Sequence, residues 1–395
     1  METKYELPEK IYSGAPSLIR AVADKGKNIP GFISLAIGNP APEAIPVSTI
    51  LAAANEVLSG DSMTIMQYGI MTGYPALREM TIQRLEQVKH ISPENKGLIV
   101  TVGSGQALGL VPRSICNEGD EVFAEQYAFT NALNAIRFSG CKLTGIPMDD
   151  DGMIPEALEK AAKSGKGKYI YLIPNFQNPT GITLSLQRRK DLYEVARKYD
   201  LLIYEDDPYG ELRFKGEAVP AMASFDEDGR VLYAGSYSKI LSAGLRVGYL
   251  YGNKKLIDPM QNLKNATDGQ SPMMTQMIVE KSIARLDMPS YLADLCKLYG
   301  HKCETMLTAL KESCADDVKI TEPEGGMFIW VTLPERLPVD AFSEECIANG
   351  VGIVKSEGFA ADPTKPGNSF RINFTSLPIE QNVKAVQIIG KLTRK

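Results

Sequence analysis

The chain has 395 residues, more than one hydrophobic core normally serves, and a formal net charge of −5 at pH 7. Hydrophobic residues make up 44% of it and charged residues 23%, a balance that excludes a disordered or membrane-embedded chain. The slight acidic excess gives no electrostatic footprint for nucleic acid or an anionic membrane surface.

The N-terminal segment up to about Pro46 reads as loops with one short helix, PSLIRAVADKG. Its start, METKYELPEK, lacks an apolar signal core. A strand follows at GLIVTVGS, with a helix from about Gln106. EVFAEQ is a second strand, followed by a helix through LNAIRFS. KLTGIPM, YIYLIPN, LLIYED, VLYAGS and VGYLYG continue the series, and helical segments such as LQRRKDLYEVARKY separate several of them. Apolar strands alternating with helices predict a mostly parallel sheet covered on both faces. After about Asp287 the pattern changes to a long helix, then VKITEPE, MFIWVTL, VGIVK and SFRINF, with helices between and after them. The expectation is an α/β fold, with a large domain over 47–287 and a smaller α+β domain from 1–46 and 288–395.

Apolar runs such as YIYLIP and LLIY are too short to span a bilayer. The six cysteines are scattered without a CxxC pair, which fits a reducing compartment and a cytoplasmic protein without a metal site. The two histidines, His90 and His301, do not fall in strand-end loops, so another group must move protons.

Ligands of open α/β sheets bind beyond the carboxyl ends of the strands. Here those ends carry Gly103-Ser104-Gly105, Phe129, Asn178, Asp206 with Tyr209, and Ser236 with Ser238-Lys239. In GSYSKILSAGLRVGYL, residues 235–250, a lysine follows a strand between two serines, with Arg246 beyond it. Hydroxyls and an arginine fork suit a phosphate dianion. A partly desolvated lysine beside cations has a lowered pKa and becomes a nucleophile. In IYEDDPYGELRF a carboxylate ends a buried strand and Tyr209 follows Asp206 by three residues. Alternation of faces lets only one of Asp206 and Asp207 point into the site. TVGSGQALGLV feeds a Gly-rich turn into a helix N-terminus, an anion cradle in which Ser104, Gly105 and Gln106 are the candidates. IPNFQNPTG places Asn178 in a turn.

Together these segments resemble the fold-type I aminotransferases of class I/II, which depend on pyridoxal 5'-phosphate (PLP). The lysine segment resembles that family's GSxSKxxxPGLRxGY string, with Ala243 where proline is usual. The resemblance runs from about Ser34 to Phe374 and is nearest the 2-aminoadipate, kynurenine and aromatic aminotransferase subgroup. It implies a seven-stranded, mostly parallel, aspartate-aminotransferase-like sheet and a homodimer with shared active sites. By it, Lys239 holds the cofactor, Asp206 keeps the ring nitrogen protonated, and Tyr209 and Asn178 bind the phenolic oxygen. Ser236, Ser238, Arg246 and the Ser104–Gln106 turn take the phosphate, with Gly105 standing where the family usually has glutamine. Phe129 stacks on the ring, Tyr127 being its rival two residues away. Arg371, in SFRINF, binds the substrate α-carboxylate, and Gly38, in SLAIGNPAPEAIP, touches substrate through its backbone. Tyr68, in MQYGIMTGYPALRE, reaches the phosphate of the partner subunit. Arg20 either reads a distal carboxylate or is a solvated helix charge. The implied reaction moves an amino group between an L-amino acid and a 2-oxo acid, with glutamate and 2-oxoglutarate as one pair. A PLP-dependent C–S lyase would share every cofactor residue. An aminotransferase-like regulator would need a DNA-binding module, which this chain is expected to lack.

Overall fold

The computed structural model describes residues 6–60 and 62–395. Seven strands form the main sheet: β1 Lys96–Val102, β2 Glu121–Glu125, β3 Lys142–Ile146, β4 Gly167–Leu172, β5 Leu202–Asp206, β6 Val231–Ser236 and β7 Val247–Asn253. Their order across the sheet is β1-β7-β6-β5-β4-β2-β3. β7 runs antiparallel to both neighbours, and every other pair is parallel. The expected α/β class and mostly parallel seven-stranded sheet are what the chain forms.

β2 and β6 are buried along their whole length, as strands covered on both faces must be. Helices supply the cover and the parallel crossovers. Leu186–Lys198, between β4 and β5, turns Leu192, Tyr193 and Ala196 into the core and keeps its charges outside, Arg189 excepted. Antiparallel neighbours need no crossover helix. The connection from β6 to β7 is therefore an irregular turn, and it carries Lys239.

A second, four-stranded antiparallel sheet is built from β8 Lys319–Ile320, β9 Phe328–Thr332, β10 Val354–Lys355 and β11 Ser369–Asn373, in the order β8-β9-β11-β10. The long helix Met288–Ser313 packs along the C-terminal helix Ile379–Thr393 beside it. VGIVK, expected as one strand, is two. Val351–Gly352 pairs in parallel with Ile33–Ser34, whereas Val354–Lys355 pairs with β11. The fully buried Ile353 marks the change of sheet. Gly352 is required there, because a Cβ would meet Val22 and Phe32 within van der Waals radii. Among the described residues no helix is long and apolar enough to cross a membrane.

Candidate active site

The carboxyl ends of β1, β2, β4, β5 and β6 and the amino end of the antiparallel β7 share one edge of the sheet. Residues far apart in the chain meet there. Lys239 Nζ donates to the Gly38 carbonyl at 2.9 Å. Burial first, and then the Arg371 and Arg246 cations, pull its pKa down to about 8. A large fraction of the amine is therefore neutral and nucleophilic at mildly alkaline pH. On the same turn Ser236 and Ser238 are buried with their hydroxyls 2.9 Å apart, and the Ser238 amide donates to Ser236 Oγ at 3.1 Å.

The adjacent aspartates are separated by their partners. Asp207 accepts from Lys89 Nζ at 3.0 Å, Asn175 Nδ2 at 2.8 Å and Tyr233 Oη at 2.7 Å. Its burial opposes ionisation, but Lys89 and these donors outweigh it and hold the carboxyl below its ordinary range. Among the described residues Asp206 accepts only from Tyr171 Oη, at 2.8 Å, and its Oδ1 is buried without a partner. Burial pushes Asp206 up to about 7, against the pull of Tyr171. Asp206 thus holds an unanswered oxygen at a strand end, and the N–H of a pyridinium ring is a donor of the kind that oxygen lacks. Tyr209 lies close by, buried and edge-on to Phe328 at 5.9 Å.

Gly103 has φ 65° and ψ 172°, a conformation that glycine alone adopts readily, and caps the helix Ser104–Ile115. The first-turn amides of that helix have no intrahelical acceptors. Arg246, itself at φ 53°, lays its guanidinium against Gly103 and donates to Val102 O at 3.4 Å. Gly248 on β7 lets this turn approach: a Cβ there would lie 2.7 Å from Gly103 C and 2.8 Å from Ser104 N. The result is an arginine fork, a helix N-terminus and two serine hydroxyls at one edge, a phosphate-binding set. Gln106 faces elsewhere. Its Oε1 accepts from Val102 N at 2.9 Å, its Nε2 donates to Asp268 at 2.6 Å, and its amide bonds to Gly103 O at 3.3 Å. Ser104 and Gly105 keep the free positions of the turn. Phe129 is half-buried with no ring partner among the described residues, whereas the Tyr127 ring is 5.2 Å from Trp330.

Arg371 is 1% exposed. Its Nη1 donates to Asn178 Oδ1 at 2.8 Å and its Nη2 to Ala36 O at 2.6 Å, while Nε is buried without a partner. The guanidinium is flanked by the rings of Phe328 at 4.2 Å and Phe359 at 4.8 Å. No carboxylate pairs with it among the described residues, and burial lowers its pKa to about 10. A buried cation without an anion is costly unless a ligand supplies one. Gly38 packs against Phe328, where a Cβ would come within 2.8 Å of the ring. Arg20 is exposed on the helix Leu18–Gly26 and Tyr68 is 94% exposed. His90 and His301 are both exposed.

Sequence reasoning missed Tyr171, Gly248, Phe328 and Phe359. Tyr171 had a signal: it pairs in register with Tyr204, whose face is that of Asp206, but only once the strand order is known.

Residues 30–389 match the model of the family aminotransferase class I and II. The chain is 38% identical over 368 residues to aromatic-amino-acid aminotransferase 1 of Thermococcus litoralis, covering 92% of this chain and 88% of that one. The structure of Pyrococcus horikoshii kynurenine aminotransferase in complex with PMP matches with a TM-score of 0.93 and 34% identity, covering 98% of this chain and 96% of that one. That of α-aminoadipate aminotransferase from Thermus thermophilus, with bound N-(5'-phosphopyridoxyl)-L-leucine, matches with a TM-score of 0.89 and 29% identity, covering 98% and 97%. The chain belongs to the class I and II aminotransferases. It is a PLP-dependent enzyme that moves an amino group between an L-amino acid and a 2-oxo acid, and its relatives favour transfer over C–S elimination.

Proposed function

We propose that the enzyme takes its amino group from an aromatic, aliphatic or 2-aminoadipate-like L-amino acid and uses glutamate and 2-oxoglutarate as the other pair. The observation that carries this reading is the buried Arg371 with no anionic partner among the described residues, ringed by Phe328 and Phe359. It suits a substrate with an α-carboxylate and an apolar body, and the relatives named for aromatic, kynurenine and aminoadipate substrates agree.

The residues divide the work. Bound PLP supplies an electron sink for the pair released at the substrate's Cα. Lys239 would hold PLP through Nζ, and its free amine would take and return the substrate's Cα proton. Its lowered pKa supports that duty, since the freed amine must be neutral to accept a proton. Asp206 Oδ1 accepts from the ring nitrogen, and Tyr209 with Asn178 donates to the phenolic oxygen. Ser236, Ser238, Arg246 and the Ser104–Gly105 amides hold the phosphate, and Phe129 covers the ring. Arg371 would grip the substrate's α-carboxylate and fix its orientation, with Gly38 closing over it.

Tyr68 completes the phosphate site of the partner subunit in a homodimer. Its 94% exposure, and that of Met63, Met66, Ile70 and Met71 around it, supports an interface there. Residues 47–287 form the cofactor-binding domain, and 1–46 with 288–395 the smaller one, a division supported by the pairing of Ile33–Ser34 with Val351–Gly352. Six free cysteines support a reducing compartment such as the cytoplasm. In the aminoadipate reading Arg20 meets the distal carboxylate. Oxo-acid formation from L-tyrosine, L-kynurenine, L-leucine and L-2-aminoadipate, each with 2-oxoglutarate, tests the substrate class. Activity confined to substrates outside this set overturns it, and Arg20→Met slowing 2-aminoadipate alone assigns the distal contact.

A further inference from the structure

The mechanism needs the Asn178 amide in one position and one orientation. Arg371 Nη1 donates to its Oδ1 at 2.8 Å, which turns Nδ2 the other way. What fixes the main chain beneath it is the residue before it. Gln177 is 1% exposed, and every polar group it has is spent. Its Nε2 donates to Glu125 Oε2 at 3.0 Å and to Tyr127 O at 2.6 Å. Its Oε1 accepts from the Thr180 amide at 2.9 Å and from Thr180 Oγ1 at 2.7 Å. Its own amide donates to Ile182 O at 2.8 Å, and its carbonyl accepts from Gly181 N at 2.6 Å.

Glu125 is the other half of this brace. It closes β2, is fully buried, and receives the Ile173 amide at 3.2 Å on the same oxygen that receives Gln177. Its Oε1 is buried without a partner. Burial, opposed by Gln177 and Ile173, pushes its pKa up to about 8, so near neutral pH it is largely an uncharged acid with the proton on the unpartnered oxygen. The bonds tie together the ends of β2 and β4, which carry the ring-stacking and phenolic-oxygen residues. Phe176, on the far side of Gln177, is held at φ 49°, and Gly325 and Gly326 leave no room for a Cβ beside its ring. Strained backbone of this kind persists only where the surroundings over-determine it.

We propose that Gln177, braced by Glu125, is a positioning residue that sets the donor strength of Asn178 toward the cofactor's phenolic oxygen. Neither residue touches cofactor or substrate; both act through Asn178. The inference rests on the reading of Asn178 as that donor. A donor on the phenolic oxygen draws off electron density that otherwise helps retain a proton on the neighbouring Lys239 nitrogen. Weakening it raises the pH midpoint of that proton.

The test is a pH titration of the visible absorbance of PLP-loaded wild type, Asn178→Ala, Gln177→Leu, Thr180→Val and Glu125→Gln, with melting curves to show that each is folded. Gln177→Leu is expected to move the midpoint upward in the direction of Asn178→Ala, by about 1 unit. Thr180→Val, which removes only one hydroxyl from the brace, moves it less in the same sense. Glu125→Gln, neutral and isosteric, keeps the wild-type midpoint. If Asn178→Ala shifts the midpoint while folded Gln177→Leu and Thr180→Val do not, the brace is refuted and the reading of Asn178 stands. If Asn178→Ala also leaves the midpoint unmoved, the Asn178 reading falls, and the brace with it. Should Gln177→Leu not fold, Thr180→Val alone decides. A large shift in Glu125→Gln contradicts an uncharged Glu125.

Discussion

Asp206 and Arg371 each present a buried atom that the protein itself does not answer, Oδ1 in one and Nε in the other. Removing the arginine should spare the cofactor and cost the substrate. For Arg371→Met the account predicts retained PLP, a visible-absorbance pH midpoint raised by loss of the cation and of the Asn178 contact, and a loss of about 2–4 kcal/mol, roughly 30- to 1000-fold in kcat/KM, carried largely by KM. Steady-state kinetics beside a spectrum check both halves. Asp206 makes a pH prediction for the cofactor-free protein. Its folded pKa of about 7 lies above its unfolded value, so the folded state keeps a proton that the unfolded state releases, and stability falls as pH rises through that window. Asparagine cannot ionise. The melting temperature of Asp206→Asn minus that of wild type, both without PLP, should therefore become more positive from pH 5 to pH 8. A difference independent of pH contradicts a raised Asp206. Much of this scale was legible in the sequence, because PLP chemistry asks for particular residue types at strand ends. The choice of Asp206 over Asp207 was legible only through the resemblance: its physical cause lies in Lys89, Asn175 and Tyr233, which are brought to Asp207 only by folding.

At the scale of elements, the proposed phosphate cradle depends on β7 touching the turn at the head of the Ser104–Ile115 helix. Gly248→Ala is predicted to push that turn out of place while the core, built elsewhere, holds. PLP affinity should fall at least tenfold, about 1.4 kcal/mol or more, with far-ultraviolet circular dichroism unchanged. Equilibrium dialysis measures it, and wild-type affinity in Gly248→Ala contradicts the contact. The seven strands of the main sheet could be read from their apolar runs, because strands buried on both faces have a strong signature. VGIVK could not be divided in advance. Its composition suits one strand, and only the competing edges at Ile33–Ser34 and β11 split it. Gln106 likewise looked like a cradle residue from its place after the glycine, but its side chain folds back to cap Val102 and meet Asp268.

For the whole molecule, the exposed stretch around Tyr68 is the feature a single chain leaves unexplained. The proposed dimer predicts twice the mass of one chain in sedimentation equilibrium, and weaker PLP retention in Tyr68→Ala without loss of the dimer. A monomer that keeps full activity contradicts the shared site. The sequence pointed to this pairing only through resemblance, since no spacing within one chain encodes where a second copy sits.

The central claim is that Lys239 holds PLP and that the loaded enzyme transfers an amino group. It is tested most directly by adding L-tyrosine, without an oxo acid, to the PLP-loaded protein and following the visible spectrum with the products. The account predicts a yellow band that bleaches as one equivalent of the matching oxo acid forms, with no ammonia, and no such lysine-linked band in Lys239→Ala. A wild-type protein that takes up no PLP, or one that releases ammonia instead of keeping the amino group, contradicts it.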